Sequence, residues 1–161
     1  MELDNGMTRF IAGDEDDLFI NRTPIGQCDT GLLKRAQQNL DSYFSFIGLM
    51  ERYDESVLLL AHILGWKNAF YLRRNTIREN NNPVLSQDII EEIKAKNILD
   101  ILLYDYAKKR FENDLAAAGV DQQSLDRFRK MNALYSGLLL PPYEIYDSLK
   151  ALVQGQWGRP R

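Results

Sequence analysis

Histidine and cysteine are almost absent. His62 and Cys28 each stand alone among 161 residues. One cysteine closes no disulfide within the chain and builds no thiolate metal site, so a reducing compartment and a cytoplasmic location are expected. The lone His62 lies between Ala61 and Ile63. A general base needs an oriented neighbour, and none is identifiable, so a structural or surface role is expected. No stretch approaches the roughly 18 consecutive apolar residues of a membrane span. No basic segment followed by an apolar run stands at Met1, so neither a secretory leader nor a membrane partner is expected. The ten glycines are scattered. None forms a Gly-rich turn with Lys and Ser/Thr after a strand, the usual backbone cradle for phosphates. A formal net charge of -3 argues against a general nucleic-acid binder. A local basic pocket for a phosphorylated ligand stays compatible with it, because binding senses local potential. The carboxylates Asp14, Glu15, Asp16 and Asp17 are contiguous, cannot all face one ion, and read as a solvated acidic turn with no metal.

What is present is an ordinary globular composition, with 45% hydrophobic and 27% charged residues. The length suits one domain. Met1 to Thr30 has loop composition with a few apolar anchors, and opens as though the chain began mid-fold. Asp29 or Thr30 can cap a helix over about Leu32 to Asp41, where Leu32, Leu33, Ala36 and Leu40 recur at helical spacing. Tyr43 to Leu49 is short and aromatic and reads as a buried strand. Glu51 to Leu64 reads as a helix, acidic at its start and apolar nearly all round in its second half, hence enclosed. Trp66 to Thr76 is irregular or extended, and Asn80 to Pro83 is a turn. Ser86 caps a helix over Gln87 to Lys96. A longer helix spans Ile98 to Ala117, with Ile101, Tyr104, Phe111 and Leu115 on one stripe and Gly119 ending it. Asp121 or Ser124 starts another, to about Tyr135. Pro141-Pro142 interrupts the chain, Tyr143 to Val153 forms a last short helix, and a frayed tail follows. The fold class read here is mainly α with one or two short strands. A single strand leaves its backbone groups unpaired, so its neighbours are expected from elsewhere, which points to truncation.

Five segments together resemble a known family. They are Glu2 to Gly13, Phe46 to Ser56 (with Gly48 and Glu51-Arg52-Tyr53-Asp54-Glu55-Ser56), Leu64-Gly65-Trp66, Tyr71 to Thr76, and Leu103 to Ala107. Their order and spacing are similar to the later part of carbohydrate-type sulfotransferases, over about Glu2 to Leu115. Leu125 to Arg161 carries no such resemblance. The resemblance implies the C-terminal part of an α/β, nucleoside-kinase-like fold: residues 1-118 within the sulfotransferase domain and 119-161 as a helical extension. It implies transfer of a sulfuryl group from 3′-phosphoadenosine 5′-phosphosulfate (PAPS) to a hydroxyl of a glycan or glycoconjugate, without a metal.

In that family the 5′-phosphosulfate cradle, the Arg and Ser for the 3′-phosphate, and the catalytic base all lie upstream of the matching segments. The resemblance therefore implies no catalytic residue here and an isolated chain without activity. It leaves Arg73, Arg74, Asn75 and Thr76 as cofactor contacts, with Tyr71 as a stacker. Arginine suits phosphate because its planar fork donates parallel hydrogen bonds. The plainer reading of Arg73, Arg74 and Arg78 is a solvated turn. The polar start Glu51 to Glu55 reads as a structural hydrogen-bonding hub, and Tyr104 and Tyr106 as packing residues. Expected partners are the hydroxyl acceptor and either a missing N-terminal half or a second copy. A different reading stays open: a non-catalytic helical interaction module presenting Leu138 to Leu140 and Trp157.

Overall fold

A computed structural model describes residues 4–14, 22–72 and 85–138. The described chain is helical: α1 Gly6–Ala12, α2 Thr30–Tyr43, a 3₁₀ turn Met50–Arg52, α3 Tyr53–Ile63, α4 Gln87–Lys96 and α5 Ile98–Ala117, followed by α6 over 122–138. The turn at Asn80 to Pro83, the helix at Tyr143 to Val153 and the tail lie outside the described residues.

The long α5 organises the core. Its first half packs Leu99 and Leu103 against Ala12 of α1 and Leu32, Leu33, Ala36 and Leu40 of α2. Its second half packs Phe111 and Leu115 against Leu49 and Leu59. The four apolar positions read from the α2 periodicity are the four that are buried, and Asp29 caps the helix through the Leu32 N–H. On α5 the stripe is displaced. Leu99, Leu103, Phe111 and Leu115 are buried, whereas Ile101 and Tyr104 are exposed. The reason is Lys108, which shares the Ile101–Tyr104 face. Rotating the seam onto Leu99 and Leu103 brings in Ala107 instead and keeps the ammonium in water.

The strand expected at Tyr43 to Leu49 does not form, and no strand occurs among the described residues. α2 runs on through Tyr43, which is 79% exposed. Phe44 and Leu49 have extended backbones, but side chains satisfy them. Arg110 donates to the carbonyls of Leu40 and Phe44, a cation closing the negative end of α2. Tyr106 of α5 donates to Asp41 beside it. The Ser56 hydroxyl accepts the Leu49 N–H at 2.9 Å. Partners from α3 and α5 thus replace a ladder.

The opening segment is also ordered. α1 carries its polar residues inward: Thr8 and Arg9 are buried while Phe10 is 69% exposed. Its first N–H groups are capped from afar, by the Asp100 carboxylate accepting from Met7 and Thr8 at 3.1 and 2.7 Å. Asn5 returns the favour to α5, its amide oxygen accepting from Leu99 at 2.8 Å. To reach across, Asn5 adopts φ 52°, a left-handed backbone that asparagine tolerates.

Asp14 is not part of a solvated turn. Arg9 is 2% exposed and donates Nη1 to Asp14 at 3.0 Å and Nη2 to Asp4 at 2.5 Å. Glu15, Asp16 and Asp17 lie outside the described residues. α3 is less enclosed than its composition predicts, since Leu59 and Ala61 are buried but Ile63 and Leu64 face outward. Ser86 precedes α4 as expected, though its side chain makes no cap hydrogen bond.

Candidate functional site

The segment Phe46 to Ser56 forms a tight entrance to α3. The hydroxyl of Ser56 lies 2.9 Å from the Arg52 carbonyl and 3.1 Å from that of Leu49. Gly48 sits against Phe46 and Ser56, where a Cβ would stand 2.8 Å from the Phe46 ring. Arg52 forks onto Glu55 at 2.8 and 2.6 Å and covers the face of Phe111 at 5.0 Å. This bidentate hydrogen bonding holds the Glu55 carboxyl below the usual range, against the opposing effect of burial. Glu55 and Arg52 therefore satisfy each other, as the structural reading of this polar start anticipates.

Asp54 turns the other way and builds a shelf. Its carboxylate accepts from the Tyr71 hydroxyl and from Arg129 Nε of α6, the latter at 2.8 Å. Asn132, also on α6, accepts the Tyr71 N–H at 2.9 Å. The Tyr71 ring stands edge-on to Tyr53 at 4.8 Å and lies near-parallel to Phe128 at 6.2 Å. One residue back, Phe70 stacks on Tyr135 at 4.8 Å. The extended segment after α3 is thus pinned between α3 and α6 through both backbone and side chains. The pinned stretch ends at Leu72. Arg73, Arg74, Asn75, Thr76 and Arg78 lie outside the described residues. Asp54 was legible only as a helix-start acid. Asn132 and Arg129 had no signal at all, because they meet Tyr71 and Asp54 across 61 and 75 residues.

Beside the shelf lies an open cleft of about 730 Å³. Two glycine turns frame it. Gly65 ends α3 at φ 65° and Gly119 ends α5 at φ 67°, a left-handed geometry that glycine adopts without strain. The following N–H groups fold back, Trp66 to the Ala61 carbonyl at 2.9 Å and Val120 to that of Leu115 at 3.1 Å. The third wall is the start of α6, where Ser124 N–H donates to Asp121 at 2.8 Å. His62 lines this cleft. It is exposed, and among the described residues no carboxylate is hydrogen-bonded to it to orient it as a base. Among the described residues no group of His, Cys, Asp and Glu could hold a metal ion.

Cys28 belongs to the other end of the molecule, its thiol 3.8 Å from Asp4. Burial, with the nearby carboxylates, pushes the Cys28 thiol up despite Arg9 and so keeps it protonated.

The family described as galactose-3-O-sulfotransferase matches residues 16–135. That stretch holds the α3 entrance, the shelf and the cleft, and takes in 125–135, beyond the end of the resemblance read from the sequence above. Galactosylceramide sulfotransferase of Mus musculus is 30% identical over 83 residues, which are 50% of this chain and 20% of that protein. The Bos taurus protein of the same name is 29% identical over 87 residues, 53% of this chain and 21% of its own length. The chain spans about a fifth of the length of these curated relatives. No solved structure matches. These findings correct the cytoplasmic location expected above: the matched relatives are named for galactosylceramide, a lipid that membranes hold by its ceramide. A lone cysteine and an unremarkable N-terminus were too little to fix a compartment. No described helix is long and apolar enough to cross a membrane.

Proposed function

Because this chain belongs to the galactose-3-O-sulfotransferase family, we propose that it forms part of an enzyme moving a sulfuryl group from PAPS to a galactose hydroxyl of a glycan or glycolipid. In this reading the complete domain has the α/β, nucleoside-kinase-like fold. Residues 1–118 belong to it, and 119–161 are a helical extension of which the family match takes in the part up to residue 135, including most of α6, which braces the shelf.

The observation that carries the reading is the anchoring of Tyr71. Four partners from two helices fix it immediately ahead of Arg73, Arg74, Asn75 and Thr76. These four residues offer two guanidinium forks, an amide and a hydroxyl, with no carboxylate among them. That donor set fits one phosphate group of a nucleotide. Tyr71 is a positioning residue whose ring already has protein partners on Tyr53 and Phe128, and its part in nucleotide binding is to hold the loop. When bound, PAPS supplies the sulfuryl group and departs as adenosine 3′,5′-bisphosphate. The 161 residues contain no Gly-rich turn with Lys and Ser/Thr to cradle the phosphosulfate. Without that cradle and an acceptor base, these residues in isolation bind the nucleotide weakly and do not turn over.

Isothermal titration with adenosine 3′,5′-bisphosphate tests this. Binding that disappears in the Arg73→Ala, Arg74→Ala double variant is the expected result. An identical heat in that variant would remove the basic loop from the account. The interaction-module reading draws on Leu138, exposed at the end of α6, and on Leu139, Leu140 and Trp157, which lie outside the described residues. It predicts no nucleotide heat from a fully folded chain.

A further inference from the structure

The cleft has an assignable chemistry of its own. Trp66 is 55% exposed, and it lines the opening with Lys67, Phe70, Gln123, Ser124 and Arg127. Its volume of about 730 Å³ falls within the roughly 300–1,000 Å³ of small-molecule sites. The electrostatics argue against an anion. The C-terminal ends of α3 and α5 both border this space, at Ala61 and His62 and at Ala118 and Gly119, and each carries partial negative charge. The positive end of α6 is already capped by the Asp121 carboxylate. Lys67 and Arg127 are balanced by the two negative helix ends together with the Asp121 carboxylate, which also lines the cleft, and among the described residues neither cation has an ion-pair partner. A neutral ligand rich in hydroxyls suits a space with an aromatic face, amide and hydroxyl side chains, and cationic donors.

Resting on the sulfotransferase reading above, we propose that this cleft is a saccharide subsite, taking the galactosyl end of the acceptor against the face of Trp66. One face of β-galactose presents a patch of C–H groups whose slight positive charge meets the negative face of an indole. The hydroxyls at its rim reach Gln123, Lys67 and Arg127, the Ser124 hydroxyl being engaged with the Asp121 backbone. The placement has a consequence for the reaction. Phe70 walls the cleft and Tyr71 anchors the basic loop, so the sugar and the nucleotide loop are held by adjacent residues of one pinned segment.

Saturation-transfer NMR with lactose, run beside nucleotide titration on the same 161-residue samples, tests the proposal. Lactose should bind with a dissociation constant on the order of 1 mM, as a shallow open site allows. Trp66→Ala, and independently Arg127→Gln, should weaken lactose about tenfold while leaving adenosine 3′,5′-bisphosphate binding unchanged. Trp66→Phe should retain part of the lactose signal. Circular dichroism reports whether each variant is folded, and these exposed positions are chosen so that it is. Lactose binding that ignores both variants, or no lactose signal from a chain that still binds nucleotide, overturns the subsite and leaves the sulfotransferase reading standing. Loss of nucleotide binding in Trp66→Ala makes the cleft a nucleotide site and overturns it as well. Lactose binding without nucleotide binding supports the subsite and contradicts the nucleotide loop instead. A chain that binds neither contradicts both.

Discussion

Arg9 shows how a residue in unpromising company becomes central to stability. Its guanidinium meets two carboxylates and the carbonyls of Asp4, Thr23 and Pro24. Replacing it by methionine strands Asp4 as a buried charge and leaves Asp14 only the more distant Arg35 as a cation, at 3.4 Å, and should destabilise the fold by about 3–5 kcal/mol, measured by urea denaturation. The pH dependence follows. Burial works to raise the Asp4 carboxyl, but the Gly26 N–H and Arg9 together hold it below its ordinary value. A lowered folded value means stability that is full above the ordinary aspartate range and is lost as pH falls through the folded value. The wild-type chain should therefore weaken below about pH 4. With Arg9→Met burial, the Gly26 N–H and the Asn5 amide remain, so the acid-side loss should shrink. An unchanged acid profile would show that the pair does not govern it. At Gly48 the prediction is steric: Gly48→Ala drives a Cβ against the Phe46 ring and should lower the thermal midpoint by several degrees, since overpacking of this kind costs about 1–3 kcal/mol. None of this was legible from residue types. An acidic run looks solvated until a buried arginine is placed beside its first member.

Among the elements, reciprocal capping ties α1 to α5. Asp100 accepts from Met7, from Thr8 N–H and from the Thr8 hydroxyl, while Asn5 accepts from Leu99 and Asp100. Asp100→Ala should cost about 1–2 kcal/mol, the range of a lost cap. A double-mutant cycle with Thr8→Ala should show coupling of about 0.5 kcal/mol or more; strictly additive losses would deny the shared bond. Periodicity found α2 and α5 because their buried faces are apolar. It missed α1, which buries Thr8 and Arg9 and exposes Phe10. It also misplaced the aromatic stretch after Asp41, since a run of β-formers forms a strand only beside another strand. Here Arg110 and Ser56 take up its backbone groups. The expected strand edges are therefore no basis for self-association.

For the whole molecule, apolar exposure remains after that correction. Phe10 on α1 is uncovered, and Met131, Leu134 and Leu138 are uncovered at helical spacing on α6, the kind of apolar patch that marks an interaction surface. Sedimentation of the 161-residue chain should therefore show concentration-dependent association, and a monomer at all concentrations would count against that expectation. The family was readable from sequence through the segments from Phe46 onward, where Gly48 and Gly65 mark turns; the family match begins at residue 16 and does not take in Glu2 to Gly13. The shelf was not readable, because Asp54, Tyr71 and Asn132 come together only once α6 packs against α3.

The account depends on that shelf presenting the residues after Leu72 to a nucleotide. Amide hydrogen exchange, with and without adenosine 3′,5′-bisphosphate, tests it directly. Slowed exchange across Tyr71 to Thr76, abolished by Asp54→Ala, is the predicted result. Nucleotide-dependent protection that falls elsewhere and leaves this segment unchanged would contradict it.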